Sequence, residues 1–271
     1  MRNYNPVLVF IICFLLFPGF ANSHESLTGS GCSVSVPGYL SDLAKEYEKE
    51  TGVKIMVLGG GSIRGLIDLH EGRTDFAASC QSKTQKDPVD FEYVTVAWDA
   101  LVFIVNKQNP VDTVTPQQLK DIYEGRITNW KQLNGPNLDI ISIISQKGMG
   151  GIGEAIAKYI LKGNRPLQRQ NSILASSISI SEQLVEQMKE GFATSGFGSA
   201  RKRDVKMLKV NGVLPARENI ISGKYPFKRP LFIVIKKNPK PEARKFVDFV
   251  LSLKGQQLIS SYGMPSLIDM K

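Results

Sequence analysis

Residues that bind metals or perform acid–base chemistry are scarce in this sequence. Its 271 residues include two histidines, His24 and His70, and three cysteines, with no C-x-x-C pair among them. Because zinc sites are built from closely spaced Cys and His ligands, a zinc centre is not expected. Three cysteines are also too few for a small disulfide-stapled domain. We therefore expect neither a metal nor a cofactor.

Long apolar runs are almost absent too. The longest, Val7–Phe17, follows Arg2 and precedes small residues at Ala21 and Ser23. A basic start, a short apolar run and small residues are the three parts of a secretory signal peptide. We therefore predict that residues 1–23 are removed and that the protein is periplasmic. The run is shorter than the about 20 residues of a membrane-spanning helix, and an uncleaved anchor is the alternative.

Acidic residues are fewer than basic ones, 25 against 34, which gives a formal charge of +9. A basic protein favours an anionic partner. The densest basic runs, Arg201–Arg203 and Lys236–Lys237, are short and lie at a predicted turn and after a predicted strand. Such runs are typical of a solvated surface, so no nucleic-acid partner is expected.

Two segments resemble enzyme motifs but are incomplete. Gly148–Gly153 fits the dinucleotide-binding pattern G-x-G-x-x-G, yet the stretch from Gln168 to Ile180 lacks the acidic residue that would bind the ribose. Gly60–Arg64 lacks the last glycine of the nucleophile elbow G-x-S-x-G. We therefore do not expect an enzyme.

β-rich runs alternate with amphipathic helical stretches, which is typical of an α/β fold with mostly parallel sheets. Two apolar strands, Ala100–Pro110 and Pro230–Pro239, both end in Asn-Pro and bracket a long middle block. The simplest interpretation is that the chain leaves one lobe through the first strand and returns through the second. Two ordinary core strands are the alternative. Further strands are predicted at 53–58, 75–79 and 139–145, and helices around 40–47, 116–123 and 154–161.

Three predicted turns, each after a predicted strand and just before a predicted helix, join glycine to hydroxyl side chains. The first N–H groups of a helix have no partner within it, and with the helix dipole they bind oxyanions. Glycine permits close approach of the backbone, and hydroxyls add hydrogen bonds. A serine before a helix is more often a simple N-cap, but three such segments together predict an oxyanion site. They are Thr28–Ser35, Gly59–Gly65 and Ser145–Gly151.

With these segments, the sequence from Glu25 to Leu267 resembles the phosphate-binding proteins of bacterial ABC importers, the PstS-like group of type II periplasmic binding proteins. The resemblance covers nearly the whole chain and keeps the order and spacing of the motifs. The matching stretches are Ser26–Gly31, Gly59–Ser62, Thr74–Ser79, Asp99–Pro110, Gly125–Trp130, Arg229–Leu231, Lys245–Ser252 and Gly255–Gln257.

The resemblance implies an α/β fold of two lobes, each a mostly parallel sheet flanked by helices, joined by two crossover strands. Lobe 1 would comprise residues 24–102 and 232–271, and lobe 2 residues 103–231, with the ligand in the cleft between them. The implied ligand-binding residues are Ser33, Val34, Ser62, Ile63, Arg64 and Cys80 from lobe 1, and Ser145, Lys147, Gly150 and Gly151 from lobe 2.

This chain departs from the family pattern at several positions. Cys80 stands where well-known members carry a phosphate-binding aspartate, and the segment 145–151 lacks their arginine and threonine. Arg64 and Lys147 would replace the arginine, unless both are solvated surface charges. Phosphate or a similar tetrahedral oxyanion is the expected ligand.

The resembled fold also brings the strands before Cys32 and Cys80 side by side. Since an oxidising compartment favours pairing, a Cys32–Cys80 disulfide is expected beneath the anion site, where it would hold Ser33 and Val34 in place. Two reduced, buried thiols that pack as small apolar residues are the alternative.

The function implied by the resemblance is binding rather than catalysis. We expect a monomeric periplasmic protein that captures the anion and delivers it to an inner-membrane ABC permease. The alternative is a sensor or adaptor of the same fold that signals to a membrane receptor.

Overall fold

A computed structural model describes residues 26–145 and 151–270 of the chain. The predicted signal peptide, residues 1–23, lies outside the described residues, as do Lys147 and Gly150 of the predicted site. In the described part of the chain, every helix is too short or too polar to span a bilayer.

The strands of the described residues form one large mixed sheet and one small sheet. In chain order they are β1 Ser26–Gly31, β2 Lys54–Leu58, β3 Phe76–Ser79, β4 Phe91–Asn106, β5 Thr113–Val114, β6 Ile141–Ser145, β7 Ile173–Ala175, β8 Gly191–Gly196, β9 Val205–Met207, β10 Lys209–Val210 and β11 Lys228–Lys236.

Helices connect and flank these strands. They are α1 Ser41–Thr51, α2 Ser62–His70, α3 Pro116–Tyr123, α4 Gly151–Tyr159, α5 Ile178–Gln187, α6 Phe197–Ala200, α7 Arg217–Ile221, α8 Pro241–Leu251 and α9 Leu253–Ser261. A π-helical turn, Val36–Leu40, leads into α1, and short 3₁₀ turns occur at Trp130–Leu133 and Ile268–Met270.

The large sheet has the order β2-β1-β3-β11-β4-β8-β6-β7, with β9 also paired to β4, while β10 and β5 form the small sheet. At one end β1 is parallel to β2 and β3, and at the other β6 is parallel to β7 and β8. Antiparallel β11 and β4 join these two parallel groups. The predicted α/β architecture with two crossover strands is therefore confirmed.

Strand β4 passes from one half of the sheet to the other. Its residues 91–100 pair with β11, and its residues 101–105 pair with β8. The two halves therefore meet near Ala100 and Leu101. The lobe limits at residues 102/103 and 231/232 stay a prediction.

Local sequence signals account for most of the elements. Gly52 ends α1 with a φ of 75°, a left-handed conformation that glycine adopts readily. Thr115 and Gln118 form a capping box at the start of α3, with Pro116 in the first turn. One interpretation was wrong: residues 28–31 belong to strand β1 rather than to a turn, because β1 pairs with both β2 and β3 up to that point.

A buried ion pair joins the crossover strands where the two halves meet. Asp99 of β4 lies opposite Arg229 of β11, and the two side chains are 0% and 2% exposed. The Nε and Nη2 groups of Arg229 donate to Asp99 Oδ2 at 3.0 and 2.8 Å. The second oxygen, Oδ1, accepts a hydrogen bond of 3.0 Å from the backbone N–H of Gly198 in α6. The carboxylate thus contacts both crossover strands and the second half of the molecule.

We predict that Asp99→Ala lowers the free energy of unfolding by about 3–5 kcal/mol, because it leaves the Arg229 charge buried and unpaired. Urea denaturation of the variant and the parent protein measures the difference. The control is Asp204→Ala, which removes the exposed partner of Lys107 and is expected to change stability far less. Equal losses in the two variants would contradict a structural role for the buried pair.

Candidate functional site

A small cavity of about 40 Å³ lies between the two halves of the molecule. One half contributes the turn after β1, the start of α2 and the residue after β3. The other contributes the end of β6, the start of α4 and the connection from β7 to α5. In residue numbers, the described lining comprises 32–34, 60–62, 80, 145, 151–152 and 175–178.

Three α-helices begin at this cavity. Ser62 is the first residue of α2, Gly151 of α4 and Ile178 of α5, and all three line the cavity. The N–H groups of a first helical turn lack partners within the helix, and the helix dipole gives that end a partial positive charge. Their convergence therefore produces a site suited to an anion.

Glycine allows α2 to reach this position. A Cβ atom on Gly65 would lie 2.6 Å from both Gly31 Cα and the Ser30 carbonyl oxygen, so α2 packs directly against the end of β1. Gly61, the N-cap of α2, has a φ of 88° and donates its N–H to the Gly31 carbonyl at 2.9 Å. These contacts bring the start of α2 beside the turn that contains Ser33 and Val34.

Ser62 links the start of α2 to Cys80. Its hydroxyl is fully buried, accepts a hydrogen bond of 3.1 Å from the Cys80 N–H and lies 3.4 Å from Cys80 Sγ. The residue at the N-cap position of α2 is Gly61, and no side-chain cap is made there. The N-cap interpretation is therefore wrong for Ser62.

Cys32 and Cys80 are neighbouring free thiols in this structure, so the expected disulfide is not formed here. The two side chains both line the cavity. Hydrogen bonding to Cys80, followed by the positive charge of Arg229, lowers the pKa of Cys32 despite its burial. The same hydrogen bonding, together with burial, raises the pKa of Cys80.

The cavity brings together six of the predicted site residues: Ser33, Val34, Ser62, Cys80, Ser145 and Gly151. Cys32, predicted as a disulfide partner, lines it as well.

Two predicted residues on the first turn of α2 lie elsewhere. Ile63 lines a separate groove with Leu66, Ile67 and His70. Arg64 is 63% exposed, and its Nε lies 2.9 Å from Asp68 Oδ1. Asp68 lies four residues after Arg64 on the same helix, a spacing at which side chains meet. Arg64 pairs with this carboxylate instead of making the expected contact with the anion. Arg64 is a surface charge.

Residues 175–178 line the cavity but were not predicted. Ser177 is the N-cap of α5 and accepts a hydrogen bond of 3.2 Å from the Ile180 N–H. The signal was visible as Ser176 and Ser177 between a short apolar strand and a helix. It was overlooked because this segment lacks the glycine that marked the other three.

Fixed charges are absent from the described lining, which contains no Asp, Glu, Lys, Arg or His. Within the described lining, the groups that can attract an anion are helix N-termini and hydroxyl groups. These are dipoles whose effect is strong where water is excluded.

Comparison with known proteins gives a consistent result. A family model described as the PBP superfamily domain matches residues 20–254. A protein named phosphate-binding protein PstS, from Borreliella burgdorferi, is 28% identical over 268 residues, covering 95% of this chain and 96% of that protein. A protein of the same name from Bacillus subtilis is 26% identical over 257 residues, covering 93% and 84% of the two chains.

Solved structures agree. A substrate-binding protein from Clostridium perfringens, assigned to a phosphate ABC transporter and crystallised with bound phosphate, matches with a TM-score of 0.81 and 26% identity. The match covers 90% of this chain and 100% of that one. An ABC-type phosphate transport receptor from Vibrio cholerae matches with a TM-score of 0.69 and 27% identity, over 89% and 100% of the chains. The resemblance seen in the sequence is thereby confirmed.

The proximity of the two thiols leads to a prediction. Treatment with oxidised glutathione is expected to cross-link Cys32 to Cys80. A mixed disulfide between glutathione and one of the two sulfurs lies beside the other thiol, which attacks it and releases reduced glutathione. Peptide mapping without reduction would detect the linked peptides, and a sample kept in dithiothreitol is the control. Glutathione adducts without any Cys32–Cys80 peptide would contradict the prediction.

Proposed function

This chain belongs to the PBP superfamily, and from this premise we propose that it captures inorganic phosphate in the cavity between its two halves. The protein is exported, works as a monomer outside the inner membrane and hands the ion to an ABC permease. Its action is binding, not catalysis. Support for the ligand and the transport role comes from the relatives named as phosphate-binding proteins and as parts of phosphate ABC transport.

The observation that carries the proposal is the convergence of three helix N-termini on one small cavity. Phosphate presents four oxygens in a tetrahedral arrangement, so a good site offers hydrogen-bond donors from several directions. Here they come from the starts of α2, α4 and α5, joined by the hydroxyls of Ser33, Ser62 and Ser145. Such donors replace the water that the ion loses on entry.

Ligand binding and closure are coupled in this arrangement. Ser33 and Ser62 belong to one half, whereas Gly151 and Ile178 belong to the other. An ion that contacts both halves stabilises the closed form over any open one, which is the requirement for a ligand-driven hinge movement. A closed form that differs from the open one is also what a permease can recognise. Since one chain supplies the whole described lining, a monomer suffices.

We predict that phosphate binds ligand-stripped protein in a 1:1 ratio and raises the melting temperature. Selective binding to the folded state stabilises it by about 2.7 kcal/mol when the ligand concentration is 100 times Kd. Titration calorimetry and thermal unfolding measure the two effects, with chloride at matched ionic strength as the control. Absence of both effects at millimolar phosphate would overturn the proposal.

We also predict that Gly151→Ala weakens phosphate binding at least about tenfold, equivalent to about 1.4 kcal/mol. A Cβ atom on Gly151 would lie 2.2 Å from Cys80 Sγ, so the start of α4 would be pushed away from Cys80. The matched control is Gly153→Ala in the same helix, where a Cβ meets no atom within 4 Å. It is expected to keep the parent affinity.

Calorimetry on both variants, with urea denaturation to compare stability, distinguishes the cases. Equal affinity of Gly151→Ala and the parent protein would show that the Cys80–Gly151 contact is not required for binding. A partial recovery in the Cys80→Ala, Gly151→Ala double variant is expected, because the smaller side chain leaves room for the added methyl group.

A further inference from the structure

Cys32 and Cys80 occupy equivalent positions at the ends of two adjacent strands. Strands β1 and β3 are parallel, with Gly31 opposite Ala78, and each cysteine is the first residue after its strand. The Cys32 N–H continues the pairing, because it donates to the Ala78 carbonyl oxygen at 2.8 Å. The two cysteines therefore leave the same edge of the sheet side by side.

Both cysteines line the cavity at which the three helices begin. The Cys80 sulfur lies 3.4 Å from Ser62 Oγ at the start of α2 and packs against Gly151 at the start of α4. Because the cavity measures only about 40 Å³, an ion that fills it lies beside both cysteines. The site suited to an oxyanion is thus also a site with two thiols.

The surroundings of Cys32 favour its thiolate, which is the nucleophilic form of a cysteine. Hydrogen bonding to Cys80, followed by the charge of Arg229, lowers the pKa of Cys32, although burial acts in the opposite direction. The backbone N–H of Ser35 lowers this pKa further. Arg229 uses Nε and Nη2 for its pair with Asp99, whereas its buried Nη1 has no hydrogen-bond partner among the described residues.

Cys80 complements this thiolate because it keeps its proton. Hydrogen bonding to Cys32, followed by burial, raises the pKa of Cys80. A thiolate that attacks and a second thiol that then displaces the bound group are the two parts of a thiol–disulfide reaction. Together the two sulfurs can give up two electrons by forming one bond.

We propose that the Cys32–Cys80 dithiol reduces arsenate bound in the cavity to arsenite, once per chain, and is itself oxidised to a disulfide. Arsenate is tetrahedral and carries the same protons as phosphate at neutral pH, so a site that holds phosphate admits it. Arsenate differs because it readily accepts two electrons, which phosphate does not. The inference rests on the proposed function, since the ion must first bind in the cavity.

No other reactant is needed. The Cys32 thiolate forms a bond to the arsenic of dihydrogen arsenate, and one As–O bond breaks to release hydroxide. The proton of Cys80 converts this hydroxide to water. The resulting Cys80 thiolate attacks the Cys32 sulfur, and the S–As bond breaks with its electron pair left on arsenic. The products are one arsenite ion, one water and one disulfide, so the two sulfurs lose the two electrons that arsenic gains.

The helix N-termini assist this reaction in two ways. Their partial positive charges, with that of Arg229, offset the repulsion between the Cys32 thiolate and the ion. Their N–H groups also stabilise the charge that builds on the arsenate oxygens while the S–As bond forms. The reaction stops after one turnover, because the disulfide has no electrons left to give.

The test uses reduced protein, freed of ligand and of reductant, which is mixed with sodium arsenate at pH 7. Chromatography that separates arsenite from arsenate measures the product. We expect about one arsenite per chain, and a linked Cys32–Cys80 peptide in a digest made without reduction. Excess phosphate should slow the reaction at least about tenfold, because it occupies the same cavity by mass action. Sodium chloride at matched ionic strength is the control for phosphate.

Two variants separate the roles of the sulfurs. Cys32→Ser lacks the attacking sulfur, and Cys80→Ser lacks the sulfur that releases arsenite. Each is expected to form less than about one tenth of the arsenite that the parent protein forms. Thermal unfolding and calorimetry with phosphate show whether each variant folds and binds. If a variant fails either check, the arsenite yield, the linked peptide and the effect of phosphate in the parent protein decide.

The outcomes distinguish this inference from the proposed function. If phosphate binds the parent protein but arsenate yields no arsenite, the inference is wrong and the proposed function stands. If phosphate does not bind, the proposed function fails and the inference fails with it. Arsenite formed equally fast in excess phosphate would place the reaction outside the cavity and overturn the inference. A folded, phosphate-binding Cys80→Ser variant that releases arsenite at the parent rate would overturn it as well.

Discussion

The buried ion pair between Asp99 and Arg229 determines how the two halves of the molecule meet. The pair joins β4 to β11. It lies next to the residues at which β4 stops pairing with β11 and begins to pair with β8. A third hydrogen bond, from Gly198 to the same carboxylate, ties α6 to this point. Because an unpaired charge is very unfavourable in the interior, this ion pair favours the observed arrangement of β4, β11 and α6. The charge of Arg229 also acts on Cys32, so the ion pair influences the floor of the cavity.

The cavity between the two halves attracts an anion without a lysine or arginine in its described lining. Parallel strands end at one edge of each half of the sheet, and the helices that follow begin there. Because the helices start at the same place, their partial positive ends add. Neutral donors also remain in place when the site is empty, whereas an unpaired buried cation would be strongly unfavourable. Arg64, for example, lies on the surface and pairs with Asp68.

Much of the fold could be predicted from local patterns, because those patterns act over a few residues. Gly52 after α1 and the Thr115–Gln118 capping box are each complete within one helical turn, so such signals lie within a few residues of the helix that they end or begin. The two crossover strands were recognisable by their shared apolar run and Asn-Pro ending. The strand end at residues 28–31 was assigned to a turn because its glycines suggested one. Whether a glycine-rich stretch is extended depends on the neighbouring strands, which the local sequence does not contain.

The site was only partly predictable for a related reason. Glycine was used to locate the anion-binding segments, yet glycine reports that another segment packs closely, not that a ligand does. Gly65 abuts β1, and Gly151 abuts Cys80. The start of α5 is capped by Ser177 and carries no glycine, so this segment was missed. Arg64 was assigned to the site because of its place in the sequence, whereas its position on the helix pairs it with Asp68. A helix start contributes N–H donors whether or not a glycine precedes it. The pattern that identifies this kind of site is therefore a strand end, a hydroxyl side chain and a helix start, and glycine occurs only where another segment packs closely.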